Sequence, residues 1–157
     1  MKKFFKSLML ISVCLGLSAT VNAKTFRYAT TGDILGLDPH ANNEGPTNTM
    51  KGNIYGRMLH RKADLSLEPD LATKWEKLDA NTWRFSLRRG VKFHNGNDFN
   101  ADDVLFSYKR QTQEASDMSF ALATIKQINK VDDYTVDLIT KGPDPILLLN
   151  MPMFYIV

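Results

Sequence analysis

Residues 72–104, ATKWEKLDANTWRFSLRRGVKFHNGNDFNADDV, set out a strand, two turns and the start of a capped helix in one unbroken run. From Thr82 to Arg88 the chain alternates, with Trp83, Phe85 and Leu87 on one side and Thr82, Arg84, Ser86 and Arg88 on the other. That period of two predicts a half-buried strand. Asp79, Ala80 and Asn81 form a turn before it, Gly90 breaks it, and Asn95 with Gly96 supplies a second turn that tolerates positive φ. Asn100 is placed to cap a helix whose first turn holds Asp102 and Asp103, where carboxylates meet the positive end of the helix dipole. Val104, Leu105 and Tyr108 continue one buried face, and Lys109 and Arg110 suit the far end.

Taken singly, these residues are ordinary. A Trp/Phe/Leu stripe at strand spacing is core, and adjacent aspartates at a helix start are a cap rather than an acid/base pair. Their order is distinctive: WE, then D-x-x-T-W-x-F-x-L-R, then G-V-K-F-H-N-G, then F-x-A-D-D-V. It resembles the signature of the family 5 solute-binding proteins of ABC importers, the dipeptide, oligopeptide and nickel binding group. The resemblance extends through Gly36-Leu37-Asp38-Pro39, through Leu67-Glu68-Pro69-Asp70-Leu71-Ala72 and through Val131-Asp132-Asp133-Tyr134-Thr135-Val136. It covers nearly everything after Lys24.

The amino end points to export. Lys2, Lys3 and Lys6 precede an apolar run from Leu8 to Leu17, followed by Val21-Asn22-Ala23, so residues 1–23 read as a signal peptide cleaved between Ala23 and Lys24. The apolar run is about half of the roughly 20 residues a spanning helix needs. Cys14 follows the bulky Val13 rather than the small residue a lipidation motif wants, which argues against an anchor. Cleavage removes three of the 20 basic residues and none of the 17 acidic ones, leaving 17 − 17 = 0 with His neutral. The only cysteine leaves too, so the mature chain has no internal disulfide to form.

After cleavage 157 − 23 = 134 residues remain, enough for one ordinary domain. The resemblance implies a longer, two-lobed α/β protein of the periplasmic binding protein type II kind, whose lobes close over a solute. The chain is therefore expected to be the N-terminal portion of such a protein. On this reading residues 24–43 start lobe I, 44–140 form an extra domain of strands, hairpins and helices, and 141–157 return toward lobe I.

Local patterns predict a strand at 25–29, a loop at 32–43, and a helix from a Thr47 cap to Leu59 with Met50, Ile54 and Tyr55 at core spacing. They predict short strands around Asp64, a helical turn at 70–75, and a capped helix over 101–113. A hairpin of 125–131 with 134–140 follows, then a last helix with Asp144 at its N-cap and Pro145 at N1.

No nucleophile elbow, zinc-protease motif or phosphate-binding glycine loop occurs, and no enzyme, cofactor or metal is expected. His40, His60 and His94 stand 20 and 34 residues apart, without metal-ligand spacing. Aromatic and basic residues interleave at 83–93, but export and the neutral mature charge argue against nucleic acid. The resemblance implies a monomeric periplasmic receptor that delivers a di- or oligopeptide, or a related solute, to an ABC permease in the inner membrane. It also implies that the segment after Asp38-Pro39-His40 borders the ligand, through Asn42, Asn43, Glu44, Gly45 and Thr47. Glu44 could meet an α-amino group. The competing reading is a secreted, non-transporting fragment or interaction module, in which those residues are only a polar loop and helix cap.

Overall fold

The alternating stretch at 82–88 becomes β4 (Thr82–Leu87), an inner strand of a four-stranded antiparallel sheet. The computed structural model describes residues 31–157 together with Thr25, Arg27 and Ala29. The expected signal peptide and its Ala23–Lys24 cleavage site lie outside the described residues. So do Phe26 and Tyr28, on which the strand expected at 25–29 rests.

The sheet runs in the order β3 (Ala72–Lys77), β4, β6 (Thr135–Thr140), β5 (Ile125–Asp132). Register places Trp75 opposite Phe85 and Phe85 opposite Val136, so the apolar side chains stack on one face. The other face carries Arg84 opposite Asp137, joined by two hydrogen bonds of 2.8 Å. The expected hairpin is present, turned by Asp133 and Tyr134, with Asp132 accepting from the Tyr134 amide at 2.7 Å. Tyr134 belongs to that turn and not to the strand.

Helix α1 spans Gly45–Ile54 and helix α2 Ala101–Gln111. Asn100 caps α2 as expected: its side chain accepts from Asp102 N at 2.7 Å while Asp103 accepts from Asn100 N at 2.8 Å, a reciprocal box. Val104 from α2 joins Phe85, Leu87, Val136 and Leu138 in one core, which also takes Leu122, Leu147, Phe154 and Ile156. The glycine turns form as read, with Gly90 at φ 71° and Gly96 at φ 89°.

Four expectations are corrected. The helix assigned to 47–59 begins at Gly45 behind Glu44 as N-cap, because Pro46 already holds the first-turn φ, and it stops at Ile54 where Tyr55 turns extended. Thr47 is therefore inside the helix, Met50 is exposed, and Leu59 starts β1 (Leu59–Arg61), which pairs with β2 (Leu67–Pro69). The helical turn at 70–75 is instead strand β3, since pairing with β4 outweighs the helical preference of Ala, Lys and Glu. The helix expected to run to 113 ends at Gln111. Finally, Asp144 accepts from Ile146 N at 2.9 Å in a turn, and the short helix α3 (Leu147–Asn150) starts only after it.

The last residues run back alongside the segment that follows α1. Phe154 O accepts from Met58 N and Gly56 O from Ile156 N. A Cβ on Gly56 would come within 2.8 Å of Leu71, so glycine permits this close packing. Among the described residues no helix is long and apolar enough to cross a membrane.

Candidate functional site

Asn42, Asn43, Glu44, Gly45 and Thr47 come together where the 32–43 loop enters α1, and their polar atoms bond mainly to one another and to that helix. Asn43 Oδ1 accepts from Asn48 Nδ2 at 2.9 Å, and Glu44 O accepts from Asn48 N at 2.8 Å. The Thr47 hydroxyl donates to the Glu44 carboxylate and accepts from Leu35 N at 3.0 Å. Thr47 is buried, whereas Asn43 and Gly45 are exposed and Asn42 and Glu44 half-buried. Asn43 and Gly45 are thus the solvent-facing part of the segment.

Below this rim, α1 buries two polar residues. Lys51 is fully buried and its Nζ donates to Asn42 O. Burial pushes the Lys51 ammonium below its ordinary pKa, while Asp38, Asp117 and Glu44 oppose the shift.

The start of the loop is tied to α2. Arg110 sets its guanidinium fork on the Asp38 carboxylate, with Nη1 2.9 Å from Oδ1 and Nη2 2.6 Å from Oδ2. Arg110 Nη1 also donates to His40 Nδ1 at 2.8 Å. Because a guanidinium can only donate, His40 Nδ1 must accept, which leaves Nε2–H to donate to Tyr155 O at 3.1 Å. His40 is therefore held as the neutral Nε2–H tautomer. Burial pushes its pKa below the ordinary value, a shift the Tyr155 carbonyl opposes and the Arg110 charge reinforces. Hydrogen bonding from Arg110 draws Asp38 down to about 2. Ser116 donates to His40 O at 2.8 Å, and Tyr55 OH to Leu37 O at 2.9 Å.

A small cavity of about 170 Å³ adjoins this tie, lined by Asp38, His40, Ala41, Arg110 and their neighbours. A larger one, about 490 Å³, follows the end of α1 and includes Arg57, His60, Glu68 and Asp70. Two others, of about 430 and 420 Å³, lie over Lys74, Glu76 and Arg84 of the sheet and over Val91, Phe93, Phe99 and Val157. None of the four is lined by Asn42, Asn43, Glu44, Gly45 or Thr47. Among the described residues no three His, Cys, Asp or Glu side chains group as metal ligands.

Sequence reasoning missed the tie. It assigned Arg110 to the helix end and His40 to no role, although Asp38 sits in a quoted motif. Nothing local pairs Asp38 with a residue 72 positions away.

Residues 66–157 match the bacterial extracellular solute-binding proteins, family 5 middle. The chain is 32% identical over 163 aligned residues to the dipeptide-binding protein of Escherichia coli, covering 90% of this chain and 30% of that protein. It is 33% identical to heme-binding protein A of Haemophilus influenzae, covering 84% of this chain and 28% of that one. The ABC transporter-associated periplasmic binding protein DppA from Helicobacter pylori, solved with the peptide STSA, superimposes with a TM-score of 0.69 at 30% identity. That match covers 80% of this chain and 29% of DppA. The chain thus spans less than a third of the relatives it matches, and carries the N-terminal part of a type II periplasmic binding protein fold. These relatives bind solutes and are not enzymes. With the family matched over more than half of its residues and a relative 32% identical across 90% of it, the chain belongs to the bacterial extracellular solute-binding proteins, family 5.

Proposed function

We propose that this chain supplies the N-terminal part of the periplasmic receptor of an ABC importer, which captures short peptides and hands them to an inner-membrane permease. The observation that carries the peptide reading is the 32% identity to a dipeptide-binding protein across 90% of the chain. The signal-like residues 1–23 support export, and Val13 before Cys14 supports an unanchored receptor. In this reading residues 24–43 begin lobe I, 44–140 form the extra domain and 141–157 return to lobe I. The rim at Asn42, Asn43, Glu44, Gly45 and Thr47 is one wall of the cleft. A wall that faces a second lobe is open by itself and becomes concave on closure.

The test uses the full-length receptor to which this chain is proposed to belong. Thermal-shift screening of a panel of di- to tetrapeptides should raise the melting temperature for some members, with calorimetry giving the affinity. Free heme, followed by its Soret absorbance, is the competing solute, because another relative is a heme-binding protein. Response to heme and to no peptide would overturn the assignment.

A further inference from the structure

The strongest unassigned feature is the group that fastens residues 38–42 to the rest of the protein. Asp38, His40 and Arg110 share three hydrogen bonds of 2.6 to 2.9 Å, and His40 reaches Tyr155 and Ser116 besides. Pro39 is buried between them. At the other end of the stretch, buried Lys51 holds Asn42 O. Both ends of a five-residue span are thereby fixed, one to α2 and the terminal segment, the other to α1. The proposed cleft wall begins with Asn42, the last residue of that span.

The Arg110–Asp38 pair is poorly placed to stabilise the fold. Its side chains are 34% and 43% exposed, and pairs so accessible contribute about 0–1 kcal/mol. What a bidentate guanidinium supplies is orientation: two parallel bonds fix the carboxylate plane, and the third bond fixes the His40 ring. A lysine at 110 would keep the charge but present a single point of contact.

We infer that Arg110 is a positioning residue for the solute site: through Asp38 and His40 it sets where the 42–45 wall stands, without touching solute. The inference rests on the proposed placement of the cleft wall. Groups within reach of solute hold their geometry only as well as the residues behind them.

The experiment uses the full-length protein and the peptide-panel member giving the largest thermal shift. Affinity is measured by calorimetry well below the melting temperature, for Arg110→Lys, Asp38→Asn, the two combined, and Glu44→Gln. Arg110→Lys and Asp38→Asn should each weaken binding about tenfold, the double variant should be no worse than either single one, and melting temperatures should change little. Hydrogen exchange at amides 42–45 should quicken in both. A drop in melting temperature with unchanged affinity would mark the tie as merely structural and overturn the inference. Should Arg110→Lys bind like the unaltered protein, charge alone suffices and the orientation argument fails. Failure of the underlying reading looks different: no panel member binds the unaltered protein, or Glu44→Gln leaves affinity untouched while the Arg110 variants weaken it. Either of those also removes the inference.

Discussion

Helices α1 and α2 are nearly the same length and are held in place by opposite means. Helix α2 has a complete capping box, acidic residues in its first turn, basic residues in its last, and Ala101, Val104, Ser107 and Gln111 turned inward. Helix α1 has no side-chain cap bond and no acidic residue in its first turn, and it buries Thr47 and Lys51. One helix would be sought by any reading of local signals and then packs on apolar side chains. The other is tied to the loop before it by polar contacts, Leu35 N to the Thr47 hydroxyl and the buried Lys51 ammonium to Asn42 O. Apolar packing is tolerant of small shifts and sets stability, whereas hydrogen bonds are directional and set geometry. It is the second region that adjoins the proposed cleft.

The comparison breaks if stability and affinity fail to separate between the two regions. The largest effect should come from the apolar side: Phe85→Ala should cost about 3–5 kcal/mol in urea unfolding, with peptide affinity of the surviving folded protein unchanged. A coupled loss of affinity would show that the sheet core also shapes the site. Next, Lys51→Met should change stability by less than about 1 kcal/mol, since an apolar stem of similar size avoids the cost of a buried charge. The same variant should weaken peptide binding, because Asn42 loses its anchor. A stability loss as large as that of Phe85→Ala would place Lys51 among the core-forming residues instead.

The smallest effect is the pH dependence. Held neutral in the fold, His40 takes up a proton less readily than in the unfolded chain, so the unfolded state binds more protons and stability declines as pH falls below the ordinary 6.5. Asp38 acts the same way at lower pH: stability present above its ordinary 3.8 is lost as pH falls toward about 2. Its exposure keeps that second contribution small. Melting temperature followed from pH 7 to 5 should decline, and His40→Gln should flatten that part of the curve. An unchanged slope would exclude the buried ring as its source.

Legibility followed the reach of the interactions. The Trp83-Phe85-Leu87 stripe, the Asp79 and Asn95-Gly96 turns, the Asn100 cap and the 125–140 hairpin could all be read, because each signal and its consequence lie within a few residues. Strand β3 could not, because Ala72, Lys74 and Glu76 prefer helix until β4 offers partners. Nor could the bounds of α1, where Thr47 at a cap-like spacing instead serves a loop amide twelve residues back.

The proposed site was half legible: resemblance to a family pointed to the segment, while nothing in the sequence pointed to the means of holding it. By itself the sequence determined the family, the hairpins, the capped helix and the lack of catalytic motifs, since these rest on residue order and local hydrogen bonding. Only the tertiary structure decided that Asp38, His40 and Arg110 meet at one point with Tyr155, that Lys51 is buried, and that Thr47 faces inward. These ties join residues 70 to 115 positions apart, and which of them meet depends on how the sheet, α2 and the terminal segment pack, information no short window of sequence contains.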